Sequence, residues 1–207
     1  MKLPDEIENL YDFLGPKERL YIKLRWRLCP FFLIERFLPS RGKIIDVGCG
    51  YGLLANLISL NKNRDVYGFD LNAKRISIAK KTTGNRKNIH FELKNVKDLK
   101  LGSCDAIVMS DFLHHIPYKE QEALIKQAAG KLKKKGIIII QDIGKKPLWK
   151  YLFASNLDLI LNCFPRLYYR NALSWQKMLE RNGFSASIIR ADQRLPLPDV
   201  LLVCKKI

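Results

Sequence analysis

The chain is poor in patterned cysteine, in histidine, in acidic side chains and in long apolar runs, and each shortage removes a class of protein. No uninterrupted apolar run approaches the ~18 residues that a membrane-spanning helix needs. Five cysteines (Cys29, Cys49, Cys104, Cys163, Cys204) form neither a CxxC pair nor a metal-ligand spacing. That excludes a zinc-stapled module or a redox dithiol and points to reduced, buried thiols in a cytoplasmic protein without a bound metal. Asp5, Glu6 and Glu8 precede any apolar block, which is not the pattern of a secretory leader. Acidic residues number 20 against 37 Lys and Arg, giving a formal net charge of +17. Such an excess suits RNA, an anionic membrane surface or an acidic substrate, and equally a lysine-rich solvated face. No arginine-rich tract or aromatic-spaced basic stripe singles out nucleic acid.

What is present reads as one α/β domain of 207 residues. After an N-terminal helical extension (1–40), β-like and α-like segments alternate, as in a parallel sheet covered on both faces. The pattern predicts strands at Lys43–Val47, Val66–Asp70, Ile89–Leu93, Ala106–Ser110 and Gly136–Gln141. It predicts helices at about 52–61, from an Asn72 cap to Thr82, and at 119–134. Two late strands, Ser185–Ala191 and Val200–Lys205, follow Gly183. The central α/β core spans 41–146, an apolar cap helix is inserted at 147–170, and 171–207 completes the fold.

The most informative stretch is Lys43-Ile-Ile-Asp-Val-Gly-Cys-Gly-Tyr-Gly-Leu-Leu-Ala55, a β-branched run ending in glycines at alternate positions. Gly48 and Gly50 permit backbone angles and a close ligand approach that a Cβ blocks. Leu53 stands where a dinucleotide fold has its third glycine. Asp46 is negative where such a fold brings a pyrophosphate, so a ligand carrying positive charge fits better. Asp70 closes the second strand twenty residues beyond Gly50, the spacing at which a carboxylate accepts ribose hydroxyls.

This stretch resembles motif I of the class I S-adenosylmethionine (SAM)-dependent methyltransferases. The resemblance implies a Rossmann-like, doubly wound, seven-stranded sheet, mostly parallel with an antiparallel last strand. It also implies SAM as cofactor and S-adenosylhomocysteine as product. The implied cofactor contacts are Asp46, Gly48, Cys49, Gly50, Gly52, Asp70, Leu71, Asn95, Val96, Ser110 and Asp111. Asn95 stands where the family usually has an acidic residue for the adenine amino group; its carbonyl accepts the same bond. Met109-Ser-Asp-Phe-Leu-His-His-Ile-Pro117 looks like the family's "LHH" motif, which makes His115 and His114 candidate general bases, although the histidine here often only packs. Tyr168-Tyr-Arg through Gly183-Phe184 is similar to the family's run into the sixth strand, with Tyr169 a candidate acceptor contact.

The aromatic insertion, including Trp149, suggests a roof over a small, hydrophobic or lipid-like acceptor methylated at oxygen or carbon. Ser110-Asp111-Phe112-Leu113 replaces the Asn/Asp-Pro-Pro-aromatic clamp of base-amino methyltransferases, against nucleic acid as acceptor. Two other readings stay open: an RNA methyltransferase exploiting the basic surface, and a non-catalytic SAM-binding module in peripheral contact with an anionic membrane. Oligomeric state is not legible.

Overall fold

The structure, a computed structural model, describes the backbone of residues 2–95, 102–162, 167–192 and 197–207, and the side chains of all of these except 157–162. Seven strands form one sheet: β1 (Gly42–Val47), β2 (Arg64–Asp70), β3 (Ile89–Leu93), β4 (Cys104–Ser110), β5 (Leu132–Ile143), β6 (Phe184–Arg190) and β7 (Asp199–Lys206). Their order is β3-β2-β1-β4-β5-β7-β6. The first five strands pair in parallel, and β7 runs antiparallel between β5 and β6. The seven-stranded expectation, antiparallel last strand included, is met.

The isoleucine runs explain the layering. Successive strand side chains point to opposite faces, so Ile44 and Ile139 join one core while Ile45, Ile138 and Ile140 join the other. The first core lies under the N-terminal helices α1 (Asp5–Glu8), α2 (Pro16–Leu28) and α3 (Phe31–Arg36), together with α4 (Leu53–Ile58) and α5 (Ala73–Lys81). The second lies under α6 (Tyr118–Lys131) and α8 (Ala172–Arg181). With both faces covered, no alternation of polar residues is required, and continuous apolar strands result. Asn72 caps α5 by accepting from Arg75 N–H at 3.0 Å, as its position predicts.

Several boundaries differ from expectation: the helix expected at 52–61 is Leu53–Ile58, the cap helix expected at 147–170 is Leu148–Asn162, and the junction of α6 with β5 shifts. The lysine-rich stretch predicted to extend α6 to residue 134 instead opens β5 at Leu132. Leu132 is buried beside Cys104 and its ladder is interrupted before Ala106 pairs with Ile137, with Lys135 at φ 63° in the bulge. Burial of Leu132 overrides the helix propensity of three lysines.

The insertion after β5 is α7 (Leu148–Asn162). Tyr151 and Ala154 on it pack with Leu28, Ile143, Tyr169 and Leu197 in a third, smaller cluster. The N-terminal extension is tied to the core by polar bonds: Tyr11 Oη donates to Tyr51 O at 2.9 Å and accepts from buried Asn56 at 3.0 Å.

Candidate functional site

The chain leaves β1 toward β2 on one side and has β4 on the other, so the strand order reverses between β1 and β4. A crevice outside the carboxyl ends of strands opens at such a switch point. Here it is lined by the β1–α4 turn (Asp46, Gly48, Cys49, Gly50), Asp70 and Arg75 beyond β2, and Ser110, Asp111, Phe112 and His115 after β4. Tyr21, Arg25 and Phe31 of the N-terminal helices close its remaining side.

The glycines of the turn divide their work. Gly48 (φ +75°) has no side chain because the Phe112 ring occupies that space, 2.5 Å from where its Cβ would stand. At Gly52 the ring of Phe91 does the same at 2.6 Å. A Cβ on Gly50 (φ +56°) would meet nothing within 4 Å. Gly50 is therefore the position where the backbone lies open to a ligand, while the expected close approach at Gly48 is taken by an aromatic ring.

Asp70 is buried, and its two oxygens accept from Gly50 N–H at 2.9 Å and Asn72 N–H at 2.8 Å. Each carboxylate oxygen has a second acceptor direction, so the aspartate is oriented by the turn and can still take two hydroxyls. Asp46, 2% exposed, lies under the same turn. Burial, and then the charge of Asp70, push its carboxyl up to about 7, opposed by the Ala55 N–H that donates to it. Its Oδ2 has no hydrogen-bond partner among the described residues. A buried carboxylate oxygen left without a donor costs free energy that a bound cation would recover.

At the other end, Ser110 Oγ donates to Gln141 Oε1 at 2.6 Å, and Gln141 Nε2 donates to Asp199 Oδ1 at 2.7 Å. Burial raises the Asp199 carboxyl well above its ordinary value, and the nearby Asp111 charge adds to this. Asp111 sits at φ 55°, in the left-handed region, with an ion pair to Arg25 and its N–H on Gln141 O. A strained backbone held by a charge pair from another element is characteristic of functional sites.

The two histidines separate. His114 is buried, its Nδ1 2.5 Å from Asp142 Oδ1 and its ring stacked on Tyr169 at 4.7 Å. It is outside the crevice lining, packed and hydrogen-bonded in the fold. His115 lines the crevice, its ring centroid 4.2 Å from that of His114. Tyr169 is buried in the α7 cluster and stacks on His114, which in turn lies against His115. Trp149, expected in the acceptor pocket, is 64% exposed and outside the crevice lining, because it occupies the outer face of α7. Leu71 is also exposed and outside that lining, and Asn95 lies beyond β3. Val96 is outside the described residues. Tyr21, Arg25 and Phe31 were not identified from the sequence; one arginine in a helix that also carries Lys17, Arg19, Lys23 and Arg27 has no motif to mark it, and only the docking of α2 reveals its role.

A family model for the methyltransferase domain matches residues 4–187. The ubiquinone biosynthesis O-methyltransferase of Xanthomonas axonopodis pv. citri is 25% identical over 160 residues, 75% of this chain and 65% of that protein. The enzyme of the same name from Chromobacterium violaceum is 27% identical over 138 residues, 64% of this chain and 58% of that one. The chain thus spans less than two thirds of the length of these curated relatives. Among solved structures, magnesium protoporphyrin IX methyltransferase from Synechocystis PCC 6803, crystallised with S-adenosylhomocysteine, superposes with a TM-score of 0.73 at 20% identity, covering 98% of this chain and 94% of that one. An O-methyltransferase family protein from Burkholderia thailandensis gives 0.74 at 17% identity, covering 96% and 61%. Sheet order, glycine turn and family match agree, and the chain belongs to the methyltransferase-domain family, on the class I SAM-dependent methyltransferase fold.

Proposed function

We propose that this protein transfers a methyl group from SAM to a small, hydrophobic acceptor, at a hydroxyl oxygen. The observation that carries the reading is the buried, unpartnered Oδ2 of Asp46 beneath the open face of Gly50. That pairing suits a ligand with a nucleoside end and a cationic end, and it suits a pyrophosphate poorly. Asp70 is positioned for the ribose hydroxyls, and Asp46 for the positively charged methionyl end. When bound, SAM supplies an already activated methyl group on a sulfonium.

The chain's own contribution is then orientation, water exclusion and proton handling. Tyr21, Arg25 and Phe31 close the crevice from the α2–α3 side. The Ser110–Gln141–Asp199 chain fixes the end of β4 and with it the backbone that leads to His115. His115, at the crevice wall, is placed to accept the acceptor hydroxyl proton, and general bases of this kind contribute about 10²–10⁴-fold. The curated relatives' name, an O-methyltransferase of ubiquinone biosynthesis, supports a hydroxyl-bearing, apolar acceptor.

The test is calorimetric titration with SAM and S-adenosylhomocysteine, then transfer of labelled methyl from SAM to a panel of hydrophobic phenols and catechols. Binding of both ligands and labelling of a phenolic product is the expected outcome. His115→Gln should retain SAM binding and lose roughly 10²–10⁴ in kcat. Absence of SAM binding at saturating protein removes the proposal.

A further inference from the structure

Helix α7 is apolar on both sides. Its inner side, Tyr151 and Ala154, is buried against Tyr169, Ile143 and Leu28. Its outer side carries Leu148 and Trp149 (each 64% exposed), Leu152 (49%) and Phe153 (48%). Positions i, i+1, i+4 and i+5 fall on one face of a helix, so these four side chains form a single patch. Isolated exposed apolar residues need no explanation, but a contiguous group on one face marks an interaction surface.

The charge beside the patch selects its occupant. Lys145 and Lys146 are exposed immediately before the helix, and no Asp or Glu occurs between Ile143 and Leu157. Lys150, on the same helix, is turned away to Asp192 at 3.0 Å. A second copy of this chain docking through the same face would bring like charges together, on molecules of net charge +17. An anionic lipid surface offers the opposite sign to the lysines and an apolar layer to the leucines and aromatics. Tryptophan at the edge of such a patch is the side chain that favours the membrane–water boundary. We infer that α7 docks this protein on anionic membranes, with Leu148, Trp149, Leu152 and Phe153 inserted at the interface and Lys145 and Lys146 on lipid headgroups.

Docking does not depend on the proposed reaction; the link between them does. The inner face of α7 reaches Tyr169, Tyr169 stacks on His114, and His114 lies against His115 at the crevice. The docked helix therefore sets the crevice next to the layer in which an apolar acceptor dissolves.

Trp149 also supplies the measurement. The chain has three tryptophans, and Trp26 and Trp175 are both buried. Tryptophan emission should move to the blue on adding vesicles of phosphatidylcholine mixed with phosphatidylglycerol, and not with phosphatidylcholine alone. Co-sedimentation with the mixed vesicles should fall at least about tenfold in the Leu152→Ser/Phe153→Ser variant, and similarly in Lys145→Glu/Lys146→Glu. These positions are exposed, so unchanged thermal melting and unchanged SAM binding show that each variant is folded. Three results overturn the inference. One is no spectral shift with any vesicle, and another is vesicle binding that survives both variants. The third is a wild-type dimer in light scattering that Leu152→Ser/Phe153→Ser converts to monomer, which gives the face to a second copy.

Discussion

Three residues of one turn carry different penalties, and substitution separates them. Gly48→Ala drives a methyl group into the Phe112 ring at 2.5 Å and in a left-handed conformation, so the apo fold should lose stability, by several kcal/mol on the scale of overpacked cores with strain. Gly50→Ala meets only the left-handed backbone cost, about 1–2 kcal/mol, yet fills the space a ligand needs. Melting of the two apo variants and titration with SAM should therefore invert: Gly48→Ala melts lower, while Gly50→Ala melts near wild type and binds at least about tenfold weaker. Asp46 adds a pH dependence with a definite sign. Its folded-state pKa, about 7, lies above the ordinary aspartate value, so the native state holds the proton more tightly than the unfolded chain. The stability it contributes is full below pH ~4 and is lost as pH rises through about 7. Asp46→Asn should consequently raise the apo melting temperature at pH 8 and leave it little changed at pH 4. The cation of SAM pairs with the ionised carboxylate, so wild-type affinity for SAM should increase through pH 7. Affinity for S-adenosylhomocysteine, which lacks the sulfonium charge, should increase less. Calorimetry across that range, with Asp46→Asn as the flat control, checks both slopes. The glycine turn, Asp46 and Asp70 were readable in the sequence because their conformational and charge requirements are local. The division of labour among the glycines was not, because Phe112 comes from the segment after β4 and Phe91 from β3, both distant in sequence.

Elements were legible wherever one physical demand dominated. Strands β1 and β5 announced themselves as isoleucine-rich runs, and Asn72 marked the start of α5 by a bond to its own first turn. The end of α6 was misread because three lysines have no preference strong enough to oppose the burial of Leu132. The N-terminal helices show the larger gap. Pro16 at the first position of α2 and its Leu, Tyr, Ile and Trp residues foretell a helix, but nothing in that segment says that it closes the crevice. That role rests on Arg25, whose side chain pairs with Asp111 across the interface. Both side chains are largely shielded from water, at 23% and 12% exposure, so removing the cation leaves a poorly solvated carboxylate beside Asp199. Arg25→Ala should cost about 2–3 kcal/mol, below the full range for wholly buried pairs because of the residual exposure. For a chain of this size each kcal/mol lowers the melting temperature by roughly 2–4 °C. Arg25→Ala/Asp111→Asn should recover part of the loss, since the stranded charge is gone; a double-mutant cycle on melting curves reads the coupling directly. Losses of the two single variants that simply add in the double variant would show that α2 is held by its apolar side chains, Ile22 and Trp26, without help from the pair.

At the scale of the whole molecule the excess of positive charge has to be reconciled with a crevice that favours a cationic ligand. The two do not conflict, because Asp46, Asp70 and Asp111 line the crevice against Arg25 and Arg75, so its lining carries more acidic than basic groups while the rest of the chain carries the positive excess. A surface of this kind attracts any polyanion, which keeps RNA in view as a partner without making it an acceptor. The α2–α3 side of the crevice is bounded by Tyr21, Arg25 and Phe31, and Ser110-Asp111-Phe112 stands after β4 in place of an Asn/Asp-Pro-Pro-aromatic sequence. RNA binding should therefore be electrostatic only. If some 6–10 phosphates are contacted, affinity should fall by about 10³–10⁵ between 50 and 200 mM salt, with little dependence on sequence. Labelled methyl from SAM should not enter RNA at either salt concentration. A phenolic acceptor, carrying no phosphates, should be methylated at nearly the same rate in both. Filter binding and methyl incorporation measured side by side decide the matter. Label in RNA that survives high salt and depends on sequence would move the acceptor from an apolar small molecule to a nucleotide and would require the α2 face of the crevice to open.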